Sequence, residues 1–491
     1  MSSKTSVGKA ASLLLFRKGW GGIINIGVLA ILARHLNKED FGLVAISSVL
    51  ISFISIVAST GIGEYLIYYR GENEKEVKNK AFGLNVIITL IVTLVVLIVI
   101  PFWSKFYNDE RIKFLAYLLL VNFIGEMIAI VPKALLRKEF KYGVLVKYLT
   151  IFGTLTSMAK VLFVFLGFGV YSLVLPMAIF SPILAFSLII QSPLSLDFKI
   201  GGKLLNEIAK YVKHIIGSNV LTYLVNEGDT LIVGKVLGLE ALGVYNIAFN
   251  VSNIFQSTLL PIITDISLPS FAKISDDIAS LRLQYLKMIN FIAFFSFPLL
   301  SIMIVHSRAI INILYGNKWN SAILPLMILL VFTIMRSISS PTSSLFNSTG
   351  NPKIGFVFSL YFAPLFLLSI FLGSYWGIIG ICLAVTISRV LGAQILISKS
   401  LDLIGYRLSL LYKEILPIII VSLIIIISNI FIYLILDYNL YLDLIIATSQ
   451  LVSVGVILRI FFKSYLEKII VDIISIAPKF KIINKILLLN A

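Results

Sequence analysis

Long apolar runs recur from one end of the chain to the other, and they constrain its fold more than any other feature. The stretches 84–102 and 417–436 contain no charged residue. A helix needs about 20 mostly apolar residues to cross a hydrocarbon core about 30 Å thick, and these runs are long enough. Only 13% of the 491 residues are charged, whereas a soluble domain has about 25%. The chain is therefore predicted to be an integral membrane protein.

The runs predict an all-α fold with about fourteen transmembrane helices joined by short loops. The predicted spans are 12–34, 42–69, 81–104, 113–135, 144–167, 169–191, 211–236, 241–267, 287–314, 320–346, 353–373, 375–398, 414–436 and 439–462. After the last span, isoleucines alternate with lysines and an aspartate. That pattern is typical of an amphipathic helix lying in the membrane interface.

The positive charge of the chain is unevenly distributed among the loops. The net charge is +17, and the segments 70–80, 133–141 and 199–213 each hold four lysines or arginines. Since cytoplasmic loops carry an excess of these residues, we predict a multi-pass protein of the inner cell membrane with both termini in the cytoplasm. The charge orients the chain in this interpretation, and no nucleic-acid partner is predicted.

A weak internal repeat relates the two halves of the chain. Three matches occur in order at nearly equal offsets: Leu36, Glu39 and Gly42 with Leu237, Glu240 and Gly243; Pro132 and Leu136 with Pro341 and Leu345; and Phe165-Leu166-Gly167 with Phe371-Leu372-Gly373. Six spans per half is an even number, so both halves have the same orientation. In transporters with such repeats the substrate path lies between the halves. We therefore predict two pseudo-symmetric six-helix bundles around a central cleft.

The repeat and the loops divide the chain into five predicted segments. They are an N-terminal six-helix bundle at 1–191, a cytoplasmic connector with an interfacial helix at 192–210, a C-terminal six-helix bundle at 211–400, two additional transmembrane helices at 401–462, and a cytoplasmic amphipathic tail at 463–491.

Polar and charged residues inside the predicted spans are the candidate functional residues, because a charge in lipid costs about 2.5–3.5 kcal/mol on insertion scales and usually faces a cavity or a partner. The candidates for binding a substrate in a cavity are Arg17, Lys18, Lys160, Asn226, Asp229, Arg336 and Arg389. The candidates for ion coupling are Glu64, Glu126, Glu227, Asp229 and Asp265. Arg336 and Arg389 lie deepest in their spans, and the planar fork of a guanidinium suits phosphate or carboxylate.

Several of these residues also have a structural explanation. Arg17, Lys18 and Glu64 lie near span ends, where a long side chain can extend its charge to the interface. Glu126 and Lys160 can form an ion pair between the fourth and fifth spans. These alternatives stay open at the level of the sequence.

The chain lacks the motifs of the common catalytic and metal-binding classes. It has no GxxxxGK[ST] phosphate loop, its three histidines lack metal-ligand spacing, and Cys382 is its single cysteine. No outer loop is long enough for the catalytic groups of a membrane-embedded polymerase. We predict a transporter rather than an enzyme, with no cofactor and no metal.

Five stretches carry a resemblance to a known family. They are KGW at 18–20 continued by ILARHLNKEDFGLVAI at 31–46, STGIGEYLIY at 59–68, VPKALLRKEFKYG at 131–143, NEGDTLIVGKVLGLEALGVYNIAFNV at 226–251, and LYGNKWNSAI at 314–323. They resemble bacterial polysaccharide exporters of the Wzx type, in the multidrug/oligosaccharidyl-lipid/polysaccharide (MOP) superfamily that also contains the MATE transporters. The stretch at 226–251 is most similar to the colanic-acid and teichuronic-acid exporter branch.

The resemblance implies a MATE-like fold and a flippase. Its cargo would be undecaprenyl-diphosphate-linked oligosaccharide repeat units, moved from the inner to the outer leaflet by ion-coupled alternating access. Such units serve surface polysaccharides such as the O-antigen of lipopolysaccharide. The implied partners are this lipid-linked substrate, membrane lipids, and the polymerase and glycosyltransferases of the same pathway. Lys18 and Asp229 match family positions, whereas Arg336 and Arg389 match no motif. A cation-coupled multidrug antiporter of the MATE type is the alternative, and a polysaccharide polymerase is a more distant one.

Overall fold

A computed structural model describes residues 2–58, 61–71, 73–192, 194–197, 220–258, 260–435 and 440–476. Over these residues the chain is almost entirely helical and has no β-strand, as the apolar runs predict. The predicted connector with its interfacial helix, from residue 198 onward, and the end of the predicted tail at 477–491 lie outside the described residues.

The chain forms two compact units, residues 1–246 and 247–491. The helices described in the first unit are α1 (Ser2–His35), α2 (Lys38–Ala58), α3 (Ile62–Tyr68), α4 (Glu74–Tyr107), α5 (Arg111–Ile128), α6 (Ile130–Lys138), α7 (Tyr142–Phe165), α8 (Leu175–Gln191), α9 (220–232) and α10 (Leu239–Ser252) as far as residue 246. A 3-10 turn, Gly169–Leu173, precedes α8, and a π-helical turn, Val233–Leu237, follows α9.

The second unit begins within α10. Its further described helices are α11 (Ile254–Thr258), α12 (Leu260–Ala272), α13 (Ile278–Val305), α14 (Ser307–Leu314), α15 (Ile323–Ser339), α16 (Thr342–Ser348), α17 (Lys353–Gly373), α18 (Gly377–Leu403), α19 (Leu408–Ile435), α20 (Leu440–Phe461) and α21 (Lys463–Ile476). Two 3-10 turns, Asn317–Ala322 and Ser374–Trp376, precede α15 and α18.

Within the described residues, 11 segments are long and apolar enough to cross a membrane. One of them, Lys353–Leu403, contains both α17 and α18. These two helices are separated by a turn at Gly377, whose φ of 68° is readily adopted only by glycine. The predicted seventh span starts at 211, before the first described residue of α9. The total of fourteen spans therefore stays a prediction.

The same order of helix breaks occurs in both units. The long helix α5 is followed by the short helix α6, and α15 is followed by α16. The prolines of the sequence repeat lie at these breaks: Pro132 in the first turn of α6, and Pro341 immediately before α16. Proline is tolerated there because the first amides of a helix have no intrahelical partner. Each short helix is followed by a long helix, a 3-10 turn and another long helix, so the helix order follows the repeat.

Helix α4 connects the two ends of the first unit. At its start, Glu74 forms an ion pair with Lys138 at the end of α6. At its other end, the Tyr107 hydroxyl donates to the carbonyl of Leu231 in α9 at 3.2 Å. Its 34 residues cover about 51 Å at 1.5 Å per residue. The end of α6 and the end of α9 therefore lie at opposite ends of this unit.

The amphipathic helix α21 packs on the helices of the second unit. Ile469 and Ile470 on its apolar face are buried. Lys468 forms an ion pair with Glu414 of α19 at 2.9 Å. Protein thus covers Ile469 and Ile470 of the predicted tail, and the ion pair holds α21 to the start of α19.

Candidate functional site

The two glycine motifs of the sequence repeat meet each other in the first unit, in a contact that we call the glycine clasp. A Cβ atom on Gly42 would lie 1.9 Å from the carbonyl oxygen of Leu239, and one on Gly243 would lie 1.8 Å from that of Lys38. Lys38 and Leu239 occupy equivalent positions of the repeat, so the contact is reciprocal. Lys38 and Glu240 add an ion pair at 3.4 Å across it. Only glycine allows this approach, because real Cβ atoms do not come so close to backbone.

Polar contacts support the helix ends around the clasp. Arg111 at the start of α5 forms ion pairs with Glu39 of α2 and with Asp109. Burial alone would raise the pKa of the Asp109 carboxyl, but hydrogen bonds from the side chain and backbone of Arg111 hold it below its ordinary value. Lys235 donates to the carbonyl of Phe106 at 2.5 Å and lies 4.2 Å from the centre of its ring. Together with the clasp, these contacts join the ends of α2, α4, the π-helical turn and α10.

A cavity with basic walls lies at the opposite end of α4, between α3 and α6. It has a volume of 220 Å³, and we call it the basic cavity. Its lining residues are Gly61, Ile62, Gly63, Glu64, Ile67, Ile130, Lys133, Ala134 and Arg137. Lys133 and Arg137 are four residues apart and so lie on one face of α6. Gly63 leaves room for this face, because a Cβ there would lie 3.3 Å from Ile130.

Three predicted site residues are associated with the basic cavity. Glu64 lines it, Glu126 forms an ion pair with Lys133 at 2.6 Å, and Arg17 interacts electrostatically with Arg137 and Glu126. The ion pair considered between Glu126 and Lys160 is therefore replaced by one between Glu126 and Lys133. Both members of the observed pair lie at the junction of α5 and α6, so they are neighbours along the chain as well.

A second cavity in the first unit is lined by polar side chains, and we call it the polar cavity. It has a volume of 250 Å³ and is bounded by α1, α2, the 3-10 turn before α8, α9 and α10. Its polar groups come from Ser48, Ser52, Glu227, Thr230 and Asn246. Hydroxyl, amide and carboxylate oxygens are suitable partners for a proton or a hard cation.

Asp229 lies on the other side of α9, away from this lining. It is 1% exposed, and its carboxylate accepts hydrogen bonds from the Tyr245 hydroxyl and from the backbone of Thr230, both at 2.8 Å. Positions two apart on a helix diverge, as the sequence predicts for Glu227 and Asp229. The carboxylate of Asp229 thus joins α9 to α10, while that of Glu227 contributes to the cavity.

In the second unit, the two deepest arginines share one aromatic ring. The Arg389 guanidinium lies 4.9 Å from the ring centre of Phe332 and 4.8 Å from that of Phe366. Arg336 lies 5.7 Å from the same Phe332 ring and donates to the side-chain oxygen of Asn253 at 3.4 Å. We call this group the arginine–phenylalanine cluster. Arg389 is 7% exposed, so the rings of α15 and α17 enclose its charge.

The remaining predicted site residues are dispersed. Lys18 is exposed on α1, Lys160 is half-buried on α7, and Asn226 is exposed on α9; none of them lines the basic or the polar cavity. The side chain of Asp265 lies outside the described residues. Among the described side chains, no three His, Cys, Asp or Glu residues are grouped so as to hold a metal ion.

The sequence did not single out Lys133 and Arg137 as site residues. Both belong to the stretch VPKALLRKEFKYG, and their spacing of four on a helix was the available signal. From the sequence alone, both are predicted to be orienting charges at the cytoplasmic side. That interpretation and a role in the basic cavity are compatible, since α6 is the end of a membrane-crossing segment, Arg111–Lys138.

Comparison with known proteins shows what the chain is similar to. The lipopolysaccharide biosynthesis protein WzxC of Escherichia coli (strain K12) is 26% identical over 393 residues, covering 75% of this chain and 76% of WzxC. The teichuronic acid biosynthesis protein TuaB of Bacillus subtilis (strain 168) is 24% identical over 352 residues, covering 71% of this chain and 72% of TuaB.

Solved structures are similar in fold at low sequence identity. The lipid II flippase MurJ, in an inward closed conformation, has a TM-score of 0.72 at 16% identity, covering 93% of this chain and 99% of MurJ. An inward-facing multidrug resistance MATE family transporter of the MOP superfamily has a TM-score of 0.60 at 16% identity, covering 80% of this chain and 96% of that transporter. The predicted all-α membrane fold of the MATE type is thereby confirmed. A family model described as polysaccharide biosynthesis protein matches residues 31–324, more than half of the chain, and the chain belongs to this family.

Proposed function

We propose that the protein is a flippase that moves lipid-linked oligosaccharide repeat units across the inner cell membrane for surface polysaccharide synthesis. It acts as a transporter and not as an enzyme. The observation that carries the proposal is the basic cavity, found in a chain whose relatives are named for polysaccharide biosynthesis and whose fold is similar to that of a lipid flippase. The polymerase and glycosyltransferases of the same pathway are the proposed protein partners.

The charges of the basic cavity suit the diphosphate of such a substrate. Lys133 and Arg137 are on its wall, and Arg17 is within electrostatic range. Hydrogen bonds to a charged group contribute about 1.5–3 kcal/mol each. A diphosphate cannot enter a hydrocarbon core without such compensation, whereas a prenyl tail can stay in the surrounding lipid.

The size of the cavity limits what it can hold. A cavity for a drug-sized ligand has about 300–1,000 Å³, and the basic cavity has 220 Å³. It can therefore take a phosphate group with some water but not a whole oligosaccharide. We propose that the basic cavity binds the diphosphate of the lipid carrier. The sugars would then occupy the central cleft that the repeat predicts.

The glycine clasp supports alternating access in this proposal. The clasp lies near the end of α4, and the start of α4 is about 51 Å away along this helix. With the basic segment at 133–141 in the cytoplasm, the basic cavity is at the cytoplasmic end and the clasp closes the outer end. Release of the cargo to the outer leaflet then requires the clasp to separate.

The polar cavity is the proposed site of ion coupling. The cavity borders the clasp, because Phe41 of its lining precedes Gly42 directly. Ser48, the first polar lining residue of α2, follows Gly42 by six residues, about 9 Å along the helix. Binding of a proton or a sodium ion at Glu227 would change the charge close to the contact that must open. Export of drugs, the function of MATE transporters, is the less favoured alternative, since the likeness to them is one of fold.

Deletion of the gene tests the proposed function. We expect loss of surface polysaccharide and accumulation of lipid-linked repeat units on the cytoplasmic leaflet, measured by extraction and leaflet-specific labelling. Normal polysaccharide in a deletion strain without a second exporter would overturn the proposal. Efflux of organic cations by the purified protein in vesicles, with no effect on polysaccharide, would instead support the MATE alternative.

A further inference from the structure

A buried polar group in the second unit is used by none of the sites described above. The ring Nδ1 of His306 lies 2.6 Å from Oδ1 of Asp443, and its Nε2 lies 3.1 Å from Oε1 of Gln450. The Tyr433 hydroxyl donates to the same Asp443 oxygen. His306 is 3% exposed and Asp443 is 1% exposed. A carboxylate and an imidazole are thus enclosed together within the membrane protein.

The group connects the last two long helices to the rest of the second unit. His306 lies between α13 and α14, Tyr433 near the end of α19, and Asp443 and Gln450 on α20. Helix α19 also packs along α13 with buried apolar residues from Leu411 to Ile425. Near its start Glu414 accepts a hydrogen bond from Asn290 of α13 at 3.0 Å, and 16 helical residues, about 24 Å, separate Asn290 from His306. The buried residues of α20 are Asp443, Gln450 and Leu458, and the first two contact His306.

The hydrogen bonds of the ring accommodate two protonation states, which differ in how the Gln450 amide is turned. A neutral imidazole has one N–H donor and one acceptor nitrogen, whereas the imidazolium has two donors. Both ring nitrogens of His306 face oxygen acceptors, the carboxylate of Asp443 and the amide oxygen of Gln450. This arrangement fits the imidazolium. Loss of the proton from Nε2 would leave two acceptors facing each other unless the Gln450 amide turned around.

The buried charge of Asp443 favours the imidazolium form of His306. A buried carboxylate without a compensating charge is costly, and the imidazolium supplies that charge. Within the described part of the chain, Oδ2 of Asp443 and Nε2 of Gln450 make no hydrogen bond. The side-chain amide of Gln450 can therefore rotate when the ring loses its proton, so that its nitrogen takes the place of its oxygen beside the ring.

Other titratable groups near the ring are few among the described side chains. Tyr433 on α19 and Asp443 on α20 contact it directly. Arg308, two residues along α14, and Tyr441 on α20 are exposed, and Tyr315 after α14 is buried. The ionic groups of α21 and of the start of α19 lie at the far end of α13.

We propose that His306 and Asp443 form a proton-binding site that controls how firmly α20 packs on the second unit. With the proton bound, the ion pair and the Gln450 contact hold α20 in place. Without it, the carboxylate loses its compensating charge and the start of α20 loosens. Histidine is the side chain whose ordinary titration falls between about pH 5 and pH 8. The inference concerns packing, so it does not depend on which cargo is carried.

Hydrogen exchange of the purified full-length protein in lipid nanodiscs tests this. Protection of the backbone at 440–452, relative to intrinsic exchange, is measured at about pH 5.5 and about pH 8.5 for the wild type, His306→Gln and His35→Gln. His35 is an exposed histidine of the first unit and serves as the matched control. In the wild type and in His35→Gln, protection should fall at least about tenfold at the higher pH. In His306→Gln it should be the same at both.

Equal protection of the wild type at both pH values would overturn the proposal, and so would an unchanged fall in His306→Gln. Nitrogen NMR of 15N-labelled histidine in the wild type provides a readout that does not need the variant to fold. Two protonated ring nitrogens for His306 at about pH 5.5 and one at about pH 8.5 are expected. A neutral ring at the lower pH would contradict the proton site, whatever the outcome of the transport experiments.

Discussion

Charged residues in or next to the membrane-crossing segments have different surroundings in the two units. In the first unit, Glu64, Lys133 and Arg137 line a cavity and keep part of their surface exposed. In the second, Arg389 is stacked between two phenylalanine rings and His306 is paired with a carboxylate. Arg137 and Glu64 are exposed and available to a ligand, and Lys133 would have to exchange its ion pair with Glu126 for one. In the second unit, Arg389 and His306 are enclosed by protein groups. Depth in a span therefore does not by itself identify a binding residue.

The difference has a physical basis in the cost of burial. A deeply buried charge must be compensated by the protein before any ligand arrives, because an uncompensated one would destabilise the fold. A charge at the wall of a wet cavity keeps water as its partner and can exchange that water for a phosphate. On this argument, the substitutions in the first unit should change transport, and those in the second should change stability.

The largest effect is expected at the glycine clasp. Gly42→Ala or Gly243→Ala would place a Cβ within 2 Å of backbone, and such overpacking costs about 1–3 kcal/mol or more, a 5–150-fold shift in a two-state equilibrium. Export should fall, and a cysteine at Ser48 in a Cys382→Ala background should become more accessible to an impermeant thiol reagent added outside.

Gly153→Ala is the matched control for the clasp, because nothing lies within 4 Å of the added Cβ. Export and labelling should then resemble those of the parent protein. Unchanged labelling and normal export in both clasp variants would show that the contact does not restrict the outer end.

The next largest effect is expected in the basic cavity. Lys133→Ala and Arg137→Ala each remove a charge that can bind phosphate, a loss of about 1.5–3 kcal/mol, so export per molecule should fall about tenfold or more. Lys141→Ala is the control, because Lys141 lies beyond the end of α6 and pairs with Glu139 at 2.7 Å. Surface polysaccharide is measured at equal amounts of membrane protein. Equal export by all three variants would remove the cavity from the path of the cargo.

A smaller and more specific effect is expected from Glu227→Gln compared with Asp229→Asn. The first removes a charge from the polar cavity, so export should fall several-fold and lose its response to an ion gradient at normal thermal stability. The second weakens buried hydrogen bonds from Tyr245 and Thr230, which costs about 1–3 kcal/mol and should lower the melting temperature. Loss of the ion response in Asp229→Asn and of stability in Glu227→Gln would instead assign ion coupling to Asp229 and the structural role to Glu227.

The smallest effect on transport is expected in the arginine–phenylalanine cluster. Arg389→Ala removes two ring contacts worth about 0.5–2 kcal/mol each, so the melting temperature should fall while export per folded molecule is retained. Arg336→Ala, which has one ring contact and a long hydrogen bond, should change stability less. A loss of export at unchanged stability in Arg389→Ala would instead support the binding role that its position deep in a predicted span suggests.

The fold was largely predictable because apolar run length and helix breaks are local properties. Pro132 and Pro341 mark helix boundaries in both halves, and the glycines at 42 and 243 mark equivalent positions near the starts of α2 and α10. The candidate site was less predictable because it depends on which helices meet. The sequence predicts Lys133 at the end of a span as an orienting charge, whereas the structure places it at the basic cavity, paired with Glu126. Nothing in the sequence brings His306 near Asp443, 137 residues away.

The reciprocity of the glycine clasp has a consequence for which substitutions the chain tolerates. In a two-fold symmetric dimer, one surface meets its own copy, and a single residue contributes to the contact twice. The clasp has this pattern inside one chain: each glycine receives the carbonyl that lies four residues before the other glycine. A larger residue at either glycine would meet the backbone of the other segment. Each segment therefore restricts substitution in the other.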